Sequence, residues 1–124
     1  MTRLALVALA SLALGGTALA DTAAATIGAG CAPQNGALVV PAGKTATSFQ
    51  LSALSHGTSC GVTPIDYDGW GLKNGGATVY SYSRRGGSVA ESAPLSTLTL
   101  PAGTYTVYVD GGQGAQVVVT FALQ

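Results

Sequence analysis

Past residue 38 the chain never runs far without a Gly, Pro, Asn or Ser, and the stretches between them alternate apolar with polar residues. Gly and Pro punctuate turns, and a hydrophobic period of two belongs to a half-buried strand. No helical period of useful length competes with it, so the chain is confined to an all-β fold. The expected strands are 37–40, 45–51, 67–73, 77–83, 96–100, 105–110 and 116–123. About seven short strands at this spacing predict an antiparallel β-sandwich of jelly-roll-like form.

Two Gly-rich segments read as hairpin turns. Lys73-Asn74-Gly75-Gly76 supplies the positive φ angles of a tight turn between the third and fourth strands, and 110–114 (DGGQG) is read the same way for the last two. In that last pair Tyr105, Val107 and Val109 share one face with Val117, Val119, Phe121 and Leu123, which marks the core side. A weak echo links LVVPAGKTATSF at 38–49 with LTLPAGTYTVYV at 98–109. In both, Pro closes one strand and Gly lets the chain turn into the next, which is recurrent corner chemistry rather than duplication.

Ahead of these strands, residues 1–20 carry Arg3, an apolar run over 4–14 and Ala18-Leu19-Ala20, the features of a cleaved secretory signal peptide. The run is too short to span a bilayer comfortably. The expected organisation is a signal peptide over 1–20, a flexible or loosely packed leader over 21–36, and one sandwich domain over 37–124. The predicted location is secreted or periplasmic, with no membrane insertion after cleavage.

Without Arg3, four basic residues stand against five acidic ones, a formal charge of −1. That balance gives no footprint for nucleic acid or anionic lipid. Cys31 and Cys60 are the two cysteines, and export would carry them to an oxidising compartment. One disulfide between them closes a loop of about 30 residues, worth roughly 3 to 4 kcal/mol on the chain-entropy model.

The inventory for catalysis is thin. His56, the single histidine, has no acidic residue within ten positions upstream or nine downstream, and reads as a surface residue of a Ser-rich loop. The acidic residues show no spacing that favours a raised pKa, so the chain is expected to be non-catalytic. The densest constellation is IDYDGWGL at 65–72, where Asp66 and Asp68 fall on the same side of an extended chain as Trp70. The functional reading of the two carboxylates is a Ca²⁺ site. The structural reading, preferred here, is that they cap the entry to a strand.

Aromatic residues offer a second candidate. Tyr80, Tyr82 and Arg84 share one side of the fourth strand; exposed, they would bind sugar rings or a protein surface together with Tyr67 and Trp70. Ser81 and Ser83 on the other side look wetter, which would turn the two Tyr rings inward, and periodicity leaves both arrangements open.

DYDGWGLKNGGATVYSYS followed by PLSTLTLPAGTYTVYVDGGQGAQVVVTFAL resembles the bacterial pre-peptidase C-terminal domains over about residues 66–123. The resemblance implies a jelly-roll-like sandwich, usually an accessory to a secreted enzyme, that binds Ca²⁺, polysaccharide or fibrous protein, with Asp66 and Asp68 as the acidic pair before the strand. The upstream half, with Cys31 and Cys60, departs from the family's pattern, and no enzyme accompanies the domain in this chain. The expected function is a secreted binding module for a carbohydrate or extracellular protein surface. The rival is a structural protein of the cell envelope, assembled through strand edges.

Overall fold

The structure, a computed structural model, describes residues 19–61, 67–85, 88–91 and 94–124. Its strands are β1 (Leu19–Ile27), β2 (Pro33–Gln34), β3 (Gly36–Val40), β4 (Ala46–Ser55), β5 (Tyr67–Asn74), β6 (Ala77–Arg85), β7 (Ser88–Glu91), β8 (Gly103–Asp110) and β9 (Gln116–Leu123). They form a four-stranded sheet in the order β2-β1-β9-β4 and a five-stranded sheet in the order β3-β8-β5-β6-β7. Neighbours are antiparallel throughout. The chain changes sheet between β2 and β3, β3 and β4, β4 and β5, and β8 and β9, which gives the β-sandwich its jelly-roll wrapping.

The core fills the space between the two inner faces. The five-stranded sheet contributes Leu38, Trp70, Leu72, Tyr80, Tyr105 and Val107, and the other answers with Phe49, Val117, Val119, Phe121 and Leu123. Phe49 and Phe121 stack with centroids 5.5 Å apart.

Three expectations are corrected. The first concerns 21–36, read as a loose leader: β1 takes in 21–27 and pairs with β9 from Leu19 opposite Leu123 to Thr26 opposite Gln116, and β2 at Pro33–Gln34 pairs with β1. Ala23 and Ala25 are buried and Ala24 is exposed, a strand alternation that a run of alanines conceals. Second, residues 96–100 are not a strand. A 3-10 turn covers Leu95–Thr97, and Leu100 makes only a bridge to Ala46, each backbone N–H donating to the other's carbonyl. Pro94 and Pro101 bracket the segment and keep it from pairing at length.

The third correction concerns β8 and β9, which do not form a hairpin. They lie in opposite sheets, and 111–115 carries the chain across with Gly111, Gly112 and Gly114 at positive φ. The residues expected on a single core face are all buried, but they meet across the sandwich. The expected β5–β6 hairpin is present, with Gly75 at φ 61° in its turn. At the start of β8 the Tyr105 hydroxyl donates to the Pro101 carbonyl at 2.7 Å, making a tyrosine corner of the Pro-Ala-Gly turn.

Candidate functional site

One end of the sandwich gathers three loops. The Cys31–Cys60 disulfide, with Cα atoms 5.8 Å apart, joins the loop after β1 to the loop after β4. The turn 111–115 is laced to both: Gly57 N–H donates to Gly111 O, Thr58 and Gln113 exchange backbone hydrogen bonds at 2.8 Å, and Gly30 N–H donates to the Gln113 side chain at 3.0 Å. Gly57 runs so close to Gln113 that a Cβ there would overlap its carbonyl oxygen. This lacing fixes where the residue before Gly57 stands.

That residue is His56, and β5 brings Asp68 to it. Strand alternation turns Asp68, Trp70 and Leu72 inward, and Asp68 is only 9% exposed. His56 Nδ1 lies 3.0 Å from Asp68 Oδ1, while Arg84 of β6, directly opposite Asp68 in the ladder, donates to Oδ2 from Nε at 3.2 Å and Nη2 at 2.6 Å. An ionised carboxylate only accepts, so Nδ1 donates this hydrogen bond. Burial works against the charge on Asp68, but the hydrogen bonds from Arg84 and then His56 outweigh it and hold the carboxyl below its ordinary pKa. Arg84 is correspondingly raised, first by its hydrogen bond to Asp68 and then by the nearby Tyr82.

The cluster therefore ties the end of β4, in one sheet, to β5 and β6 in the other. It orients an imidazole, and the nearby Ser59 hydroxyl is turned to its own loop, donating to Gly61 O and accepting from Gly61 N–H. Nothing in the sequence marked His56 and Asp68 as partners, since they stand 12 residues apart on either side of a crossover between sheets.

The same contacts decide the Ca²⁺ reading for Asp68. A guanidinium and an imidazole N–H already occupy its two oxygens, and a cation would have to displace both, so the described residues do not fit a Ca²⁺ site. Asp66 lies outside the described residues. Among the described residues no group of three His, Cys, Asp or Glu is placed to hold a metal ion.

The aromatic stripe is also relocated. Trp70 and Tyr80 are each 1% exposed and pack ring to ring in the core, with centroids 5.2 Å apart, so neither can serve as a binding surface. Tyr82 is half-buried against the same core, and Arg84 is engaged with Asp68. Tyr67 opens β5 opposite Arg85. Ser81 and Ser83 occupy the outer side of β6, which is why the Tyr rings turn in.

The outer face of the five-stranded sheet carries a different aromatic. Tyr108 stands opposite Gly71 in the ladder, and a Cβ at Gly71 would overlap the Tyr108 phenol and the Tyr80 carbonyl oxygen. The ring lies down over the glycine, with Lys73 Nζ 5.1 Å from its centroid and Asp110 two residues along the strand. Burial, and secondarily the Asp110 charge, raise the Tyr108 pKa above its ordinary value, so the hydroxyl keeps its proton. Around this ring the neighbouring outward positions are small or polar: Gly69, Ser81, Ser83 and Thr106. The sequence marked Tyr108 as outward-facing through alternation alone. Its cradle depends on the β5–β8 register, which no local pattern reveals.

No family model, curated protein or solved structure matches the chain.

Proposed function

We propose that the protein is an exported, non-catalytic binding module that holds a carbohydrate against the outer face of its five-stranded sheet. The observation that carries this reading is the Tyr108 ring lying over Gly71, with Gly69, Ser81, Ser83 and Thr106 around it and Lys73 beside it. A phenol set flat on a sheet offers an apolar plane for a sugar ring, and the hydroxyls, Lys73 and Asp110 around it supply the hydrogen bonds that orient one. Export, to the periplasm or the exterior, is supported by the apolar start of the chain, the Ala18-Leu19-Ala20 segment and the disulfide. Resemblance to the pre-peptidase C-terminal domains over 66–123 points the same way.

The test is retardation of the protein in gels containing a panel of soluble polysaccharides, comparing wild type with Tyr108→Ala and Tyr108→Phe. Retardation by at least one polysaccharide should fall about tenfold or more in Tyr108→Ala, the scale of one lost stacking contact, and persist in Tyr108→Phe, which keeps the ring. Equal retardation of Tyr108→Ala and wild type, or no retardation of wild type by any polysaccharide, overturns the reading.

A further inference from the structure

The edges of the two sheets are not protected alike. The outer edge of β4 belongs to an irregular strand: Ser48 sits at φ 57°, and the pairing with β9 slips twice, between Thr47 and Gln50 and between Leu51 and Ala53. At the other end of that sheet β2 is two residues long and begins with Pro33. Kinked, short or proline-bearing edges resist pairing with another chain.

β3 has none of these devices. Gly36–Val40 pairs with β8 in unbroken register, from Gly36 opposite Val107 to Val40 opposite Gly103, and its other edge has no ladder partner among the described residues. The strand contains no charge, no proline and no bulge, and 32–43 as a whole carries no Asp, Glu, Lys or Arg. On its outer side Val39 is 51% exposed, one of the few large apolar side chains left in water.

We propose that this edge pairs antiparallel with the β3 of a second copy of the chain, joining two five-stranded sheets into one. The strand is complementary to itself. Centred on Leu38, the pairing sets Leu38 opposite Leu38, Ala37 opposite Val39 and Gly36 opposite Val40. Directly opposed residues in an antiparallel pair point to the same face, so the inward Leu38 and Val40 stay inward and each exposed Val39 covers an Ala37 of the other copy. Pro41, which has no N–H to give, falls outside the paired segment. With no charge on either strand, no like-charge repulsion opposes the approach, and the symmetric arrangement closes as a dimer. This proposal is independent of the Tyr108 surface.

Sedimentation velocity over about 1 μM to 1 mM, the range in which small interfaces associate, should show a monomer–dimer equilibrium. Val39→Lys, placing a charge on the edge without touching the core, should weaken it about tenfold or more. The register is read separately. Ala37→Cys and Val39→Cys chains should form a mixed disulfide when combined, and far less of either homodimer when oxidised alone. Wild type that stays monomeric throughout, a dimer indifferent to Val39→Lys, or cross-linking no greater in the mixture than in the separate chains overturns the proposal.

Discussion

At the scale of single residues, Asp68 is the buried polar side chain among the described residues, held by two partners. It is the carboxylate on which strands of both sheets converge, and its neighbours are cationic or donating. Replacing it with Ala leaves Arg84 and His56 without their acceptor and should cost about 1.5 to 3 kcal/mol, the range for hydrogen bonds to charged groups, measured as a shift in the urea midpoint. Its depressed pKa fixes the sign of a pH effect. The folded protein binds the Asp68 proton less readily than the unfolded chain, so the stabilisation is complete above the ordinary carboxylate range and is lost as pH falls through the lower folded value. Between about pH 5 and pH 2, wild-type stability should fall more steeply than that of Asp68→Asn. Equal slopes would show that the cluster contributes nothing to acid sensitivity.

At the scale of elements, alternation made β3, β4, β5, β6, β8 and β9 legible in outline, because most of their large apolar side chains fall on one face. β1 escaped because its inward residues, Ala23 and Ala25, cannot be told by size from the outward Ala24. TLTL at 97–100 alternates like a strand, yet the prolines flanking 95–100 leave room only for a turn and a bridge. The Tyr105 corner was half legible: the Pro-Ala-Gly turn reads locally, but the hydroxyl's return to Pro101 requires the ring to be buried beside it. Tyr105→Phe should cost about 1 kcal/mol, seen as a lower thermal midpoint with an unchanged far-ultraviolet spectrum. An unchanged midpoint would mean that water serves Pro101 equally well.

For the whole molecule, the candidate site was the least legible part. Trp70 and Tyr80 look like binding residues because they are aromatic, yet large aromatics are also what a small sandwich needs to fill its centre. What distinguishes Tyr108 from them is a glycine on a neighbouring strand, information that exists only once β5 and β8 are in register. The disulfide, by contrast, followed from composition and compartment. It ties two of the three loops gathered at one end of the sandwich, so Cys31→Ser with Cys60→Ser should lower stability by about 3 to 4 kcal/mol. Hydrogen exchange should increase first at 56–61 and 111–115, and uniform loosening of both sheets would argue against that end being a separate unit.

The pairing of β1 with β9 also sets an order of events. Asp21 finds its partner at Phe121 and Thr26 at Gln116, and β4 leans on the same strand from the other side. A nascent chain that has not yet reached β9 has the five-stranded sheet's strands in hand but no centre for the four-stranded one. Half of the sandwich therefore waits for the last few residues of β9 to be made, and until then the earliest strand has only the two-residue β2 to pair with.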